Sequence, residues 1–352
     1  MCLSFAVDFI IFVVLLAGVA GQLDNCTGYI ERVGDGTCDE RNNNAECTYD
    51  GGDCCACTCI DGPDIPCGLA GFDCRDPGSA TPISDCQEIP AIFAPCSSTV
   101  QKEWVVNDSE SATALAESTR CSGGTFDVQW WGNVTVMDTI IVGNGSILRL
   151  TGADSEAGIV GDGGNRLLTM TGASLQISNM TLNHGRATYG GCIAASRSNL
   201  RFSQTSFTSC IAEKNGGGVY AVDHSTIHWE GRTIFTGNKA GLNGGAVYIA
   251  SSSSANWEEQ AFLTNNNATW RGGGLYIGHY SNASWKAEAS YIRNIAGDDG
   301  GALHVSDYSS VSWEAQVSFV NNTSGVNGGA LSLGGESTAV WSETASFVNN
   351  SA

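Results

Sequence analysis

Three sets of residues in this sequence have the types and spacing to do chemistry. The first is a group of carboxylates, Asp35, Asp50 and Asp53, set among cysteines in the stretch from Val33-Gly-Asp-Gly-Thr-Cys38 to Cys47-Thr-Tyr-Asp50-Gly-Gly-Asp53-Cys54. Acidic oxygens on short loops, with glycines that let the backbone fold around them, are the ligand set that calcium takes. A module this small cannot be held by an apolar core, so crosslinks and a hard cation would have to help. The second set is Asp298-Asp299, in the corner Gly-Asp-Asp-Gly, together with His184-Gly-Arg186. Glycoside hydrolysis needs two positioned carboxylates, and acid–base work needs its groups within several ångströms of one another. The third set is a column of rings, Tyr220, Tyr248, Tyr276 and His304, which recur at one constant interval. Stacked, exposed rings make a platform for sugar rings or for another protein, although outward aromatics also stabilise sheets simply by pairing with their neighbours.

The elements that position these groups follow from an internal repeat. Gly217, Gly245, Gly273, Gly301 and Gly329 recur with a period of 28, and so do Trp229, Trp257, Trp285, Trp313 and Trp341. The columns Phe235/Leu263/Tyr291/Phe319/Phe347 and Asn238/Asn266/Asn294/Asn322/Asn350 keep the same spacing. Within a unit the pattern has period 2: in Gly-Gly-Ala246-Val247-Tyr248-Ile249, Val247 and Ile249 point one way and Tyr248 the other. A second short strand ends at the Trp and a third contains Phe-x-x-Asn. Three short strands per unit, glycine-rich corners and no helix signal describe one rung of a parallel β-helix. Stacked about 4.8 Å apart, the rungs would bring each column into a ladder. Asn would pass amide hydrogen bonds along its ladder, and Phe and Trp would fill the core. Looser alternation over Val128–Val142 and Ile147–Leu182 predicts irregular first rungs starting near Trp104, and the second set of groups falls about four rungs apart.

The pairing of Gly244-Gly-Ala-Val with Phe235-Thr-Gly-Asn238, and of Gly328-Gly-Ala-Leu with Phe319-Val-Asn-Asn322, resembles the repeats of chlamydial polymorphic outer-membrane proteins over roughly residues 185–352. The resemblance implies an all-β fold, a right-handed single-stranded parallel β-helix of the pectin lyase-like kind, used for adhesion. An earlier rung carries Gly190-Gly-Cys192 with Phe207-Thr-Ser-Cys210, so both signature positions become cysteine and a disulfide between them is expected. That family's C-terminal membrane barrel has no counterpart in these residues, so its anchoring is not implied. The β-helix polygalacturonases use an Asp pair, an Asn-x-Asp and a His-Gly, but no Asn-Thr-Asp occurs here.

The N-terminal cysteine run resembles the Lin-12/Notch repeat. The resemblance implies calcium ligands at Asp35, Asp50 and Asp53, with Asp39 a further candidate. The second cysteine of that family is missing here and the fourth falls on Asn42. Those two pair with each other in the family, so the resemblance leaves Cys26–Cys47 and Cys38–Cys54 as bridges. Cys54-Cys55-Ala-Cys57-Thr-Cys59 has a spacing that zinc could use, but an oxidising compartment favours disulfides. All six prolines lie between Pro63 and Pro95, which marks an irregular, crosslinked linker.

Compartment is read from the first residues and from the cysteines. The apolar run Phe9–Leu16, followed by small residues to Gly21, predicts a cleaved signal peptide. Of 15 cysteines, Cys2 would leave with it, and an even set remains, as in the disulfide framework of a secreted chain. Sequons at Asn133, Asn144, Asn179, Asn267 and Asn282, among others, predict N-glycosylation. A net charge of −20, from 36 acidic against 16 basic residues, excludes nucleic acid and anionic membrane as partners. With 45 Gly and 42% apolar residues, the chain can bury a core built of short strands and tight turns. The expected organisation is a signal peptide (1–21), a calcium-binding module (22–60), a Cys/Pro-rich linker (61–102) and a β-helix (103–352) with regular repeats from about 213. No segment of the mature chain is apolar enough to span a membrane. The expected role is extracellular or cell-surface adhesion to a polysaccharide or a cell-surface protein without turnover; a polysaccharide lyase, hydrolase or epimerase of the wall or matrix is the alternative.

Overall fold

The computed structural model describes residues 102–120 and 123–352. The signal peptide, the linker as far as residue 101, the carboxylates Asp35, Asp39, Asp50 and Asp53 and the cysteines Cys26, Cys38, Cys47 and Cys54 lie outside the described residues. Within them the chain is a parallel β-solenoid of about nine turns. Each regular rung contributes four short strands, for example Val247–Ile249, Ser254–Trp257, Ala261–Thr264 and Asn267–Ala268. Three of these were expected. The fourth, two residues long, follows the ladder asparagine and builds a six-stranded sheet of its own. The first strands of successive rungs form an eight-stranded sheet, with Val247 facing Leu275 and Leu275 facing Leu303.

Repeated residues fill the tube. Trp229, Trp257, Trp285 and Trp313 are fully buried and stack with centroids 5.5, 4.4 and 5.1 Å apart. Phe235 meets Trp229 edge-on at 82°, as Phe319 meets Trp313, so these rungs interlock two aromatic columns, with Leu263 taking the ring's place beside Trp257. The asparagine ladder is saturated. In Asn266, Nδ2 donates to Asn294 Oδ1 and to the Phe235 carbonyl, while Oδ1 accepts from both the N–H and Nδ2 of Asn238. A serine ladder runs along another corner, between the first and second strands: the N–H of Ser225 donates to Ser253 Oγ, that of Ser253 to Ser281 Oγ and that of Ser281 to Ser309 Oγ.

The first rungs differ in two ways. A helix, Ser109–Ser118, follows the strand Lys102–Val106, which sequence reading did not anticipate. Asp108 caps it, accepting from the Ser111 N–H, and Ala112, Leu115 and Ala116 are buried as it packs on the strands Asn133–Val136 and Ile140–Val142. In two rungs the second and third strands run on as one, Ser174–Asn183 and Asn199–Thr208, bent at Asn179 and Gln204, whose φ angles are +56° and +49°. The expected bridge is present: Cys192 and Cys210 form a buried disulfide with Cα atoms 5.5 Å apart.

Candidate recognition surface

The aromatic column on the outer face of the eight-stranded sheet stacks as its spacing requires. Tyr220–Tyr248, Tyr248–Tyr276 and Tyr276–His304 have centroids 5.2, 4.9 and 5.5 Å apart, and Tyr189 meets Tyr220 at a tilt of 43°. The expectation of open rings is corrected: Tyr248, Tyr276 and His304 are only 8%, 5% and 3% exposed, and Tyr220 is half-buried. The reason is local. Residues i and i+2 of a strand share a face, and the positions two after each tyrosine are Val222, Ala250 and Gly278. The rings lie down over these residues and make a second apolar cluster with Val222 and Ala250. A methyl at Gly278 would sit 2.8 Å from the Tyr276 ring, so glycine there is what lets that ring lie flat.

Burial and charge set the electrostatics of this cluster. Burial pushes the phenols of Tyr220, Tyr248 and Tyr276 above the usual tyrosine range. Burial, then the positive charge of Arg271, lowers His304 to about 4, and its Nδ1 has no hydrogen-bond partner. The Tyr276 hydroxyl lies 2.8 Å from Ser306 Oγ, which donates to Asp307 Oδ2, and that oxygen is 3.3 Å from His279 Nδ1.

This polar chain leads to a corner that sequence reading missed. Between the first and second strands every regular rung turns through two consecutive residues in the left-handed region: Asp223-His224, Ser251-Ser252, His279-Tyr280, Asp307-Tyr308 and Gly335-Glu336. Non-glycine residues there cost about 1–2 kcal/mol each, so bulky rings at such positions run against local preference. Tyr280 and Tyr308 nevertheless occupy them, 66% and 55% exposed, stacked at 5.3 Å and 5°. That they share the repeat's interval was a readable signal, but two copies are few beside columns of five. Trp270, 54% exposed, stands on a loop that leads into the first strand of its rung.

The groups considered for turnover are not brought together. Arg271 Nε lies 3.2 Å from Asp298 and 3.5 Å from Asp299, and Asn327 Nδ2 donates to Asp299, so both carboxylates are engaged. His184 pairs with its neighbour Asn183 and Arg186 with Glu213, about four rungs or ~19 Å away along the axis. Among the sequons, Asn133, Asn144, Asn179 and Asn282 are exposed and Asn267 is half-buried. Asn321 is exposed, whereas the overlapping sequon at Asn322 is fully buried in the amide ladder, so only Asn321 of that pair is open to a glycan. Among the described residues no helix is long and apolar enough to cross a membrane. Comparison with known proteins finds no matching family model, no matching curated protein and no matching solved structure.

Proposed function

We propose that this chain is a secreted or cell-surface recognition protein that presents one side of its β-solenoid to polysaccharide or protein ligands without turning them over. The observation that carries the reading is the exposed Tyr280–Tyr308 stack, held on a strained corner beside a rigid, covered aromatic column. A ladder of rungs repeats such a surface at fixed spacing, which suits a long ligand more than a small molecule. The covered column, Tyr220, Tyr248, Tyr276 and His304, acts as the bed of this surface, and the corner residues make the contacts. The repeats are of the chlamydial outer-membrane adhesin type in this reading. The N-terminal run is a Notch repeat-like module that binds calcium through Asp35, Asp50 and Asp53, with Asp39 assisting. Export through a signal peptide and glycosylation at the exposed sequons belong to the same reading.

The test is retention and turnover on one sample. The secreted protein, with calcium, is passed over immobilised neutral and acidic wall polysaccharides, and the eluates are assayed for new reducing ends and unsaturated products. Retention without product is the expected result. Product that disappears in Asp299→Asn or His184→Ala would make the chain an enzyme instead, and neither retention nor product would leave a structural matrix component.

A further inference from the structure

The corner row has a gap. Along the outer residue of each corner the order is His224, Ser252, Tyr280, Tyr308 and Glu336, one per rung, all with positive φ. Tyr308 covers one face of Tyr280. The other face looks over Ser252, which is small and exposed, toward His224, also exposed, two rungs or about 9–10 Å away. A flat ring standing on the rung of Ser252 would lie about 4.8 Å from each neighbour, within the roughly 4.5–7 Å range over which rings stack. Hydroxyls of Ser252 and Ser254 line the floor of the gap, and the sequon residue Asn282 stands on the rung above. An aromatic wall above hydroxyl groups is a lining that recognises a sugar.

The row continues below the gap. A shallow groove lined by Gly145, Gly172, Arg197, Asn199 and His224 follows the same corner through the earlier rungs. The rung rise is close to the length of one pyranose in an extended β-linked chain, so a polymer lying along the corner would offer one sugar per rung. Charge selects among such polymers. Asp223, Asp307 and Glu336 stand on the corner and outnumber Arg197, which disfavours a polyuronate.

We infer that the Ser252 gap, walled by Tyr280 and His224, is a subsite for one sugar of a neutral, extended polysaccharide that lies along this corner. The inference rests on the recognition reading above and assigns its ligand class and place. The test is affinity electrophoresis of the intact secreted protein in native gels cast with galactomannan, hydroxyethyl cellulose or polygalacturonate. Wild-type protein is expected to be retarded by a neutral polymer and not by polygalacturonate. Tyr280→Ala, which removes the wall, and Ser252→Tyr, which fills the gap with the residue its two upper neighbours carry, should each weaken retardation about tenfold. Both positions are exposed, so unchanged melting curves will show that the fold is kept. Unchanged retardation in both variants would overturn the subsite and leave the recognition reading standing, and no retardation by any polymer would overturn both. Retardation gained only in Asn282→Gln would assign the face of Tyr280 to the chain's own glycan and likewise overturn the subsite.

Discussion

From Val219 onward the rungs keep one constant advance, with Val219 facing Val247 and Trp285 facing Trp313. Below Thr208 the advance varies: Lys102 faces Phe126, Thr125 faces Ile147, Ile147 faces Ser174 and Ser174 faces Asn199. Unequal steps thus build the same coil, most of them shorter than the regular one, although Ile140 facing Leu168 already matches it. The difference lies in what fills each half. Leu148, Leu150, Leu175, Ile177 and Leu200 line the early tube, and apolar packing has no preferred partner, so corners can gain or lose residues as long as inward positions stay apolar. The later half passes directional hydrogen bonds from every rung to the next through Asn, together with a serine ladder that already begins in the early rungs at Ser198, and an inserted residue would break both ladders at once. The disulfide sits at the seam. Cys210 occupies the place of a ladder asparagine, its N–H donates to Asn238 Oδ1, and its Sγ is 3.8 Å from the Leu182 carbonyl.

The largest effect is expected from breaking the ladder itself. Asn266→Leu strands the N–H of Asn238 and one of the two hydrogens of its amide in the core, and removes the side-chain bond to the Phe235 carbonyl. It should cost about 3–5 kcal/mol in urea unfolding, against about 0.5–1.5 kcal/mol for Ile177→Val in the early half. Equal losses would mean that the ladder does not distinguish the two halves.

The seam gives the next test. Removing the bridge as Cys192→Ala with Cys210→Ala should cost about 3 kcal/mol. Cys192→Ala with Cys210→Asn restores the residues of the regular rungs, Ala246 and Asn238. It puts an amide where the Leu182 carbonyl can accept from it, and should recover about 1 kcal/mol. No difference in melting temperature between the two double variants would show that the ladder cannot be extended into the early half.

His304 supplies a pH test of the covered column. Its value of about 4 lies below the ordinary histidine value of 6.5, so the unfolded chain binds more protons between these limits. Stability is therefore complete above about pH 6.5 and falls as pH drops toward 4. His304→Tyr, which continues the tyrosines below it, should flatten that part of the melting temperature–pH curve, and an unchanged curve would place the acid sensitivity elsewhere.

The smallest difference compares two buried tryptophans. Trp130 Nε1 donates to the Gly158 carbonyl, whereas Nε1 of Trp257 has no partner. Trp130→Phe should therefore cost about 1 kcal/mol more than Trp257→Phe. The reverse order in urea unfolding would mean that the regular stack depends on the indole itself.

How much was legible depended on whether a residue type is rare. Five tryptophans or five asparagines at one spacing stand out, and they marked the core and the ladder, because both groups point inward and cannot be replaced cheaply. Ser225, Ser253, Ser281, Ser309 and Ser337 keep the same spacing and carry a second ladder. They went unread because serine is common in corners anyway. The helix at Ser109–Ser118 was also missed, although Asp108 with Ser111 is a capping signal, because the alternation of the neighbouring strands dominated the reading. The tyrosine column was read correctly as outward and stacked, but its exposure was not readable. Whether an outward ring stands up or lies down depends on the residue two places on and on the loops above it.

Sequence by itself determined the β-solenoid, the period of its rungs and the columns that face inward, because each follows from local alternation repeated at one spacing; the pairing of Cys192 with Cys210 came from the resemblance of its rung to a known repeat. Tertiary structure alone decided that the tyrosines are covered, that Tyr280 and Tyr308 are the open rings, and that Arg271 closes on Asp298 and Asp299. The physical reason is that burial and ion pairing are settled between rungs and loops, where residues far apart in the chain meet, and no local pattern records that meeting.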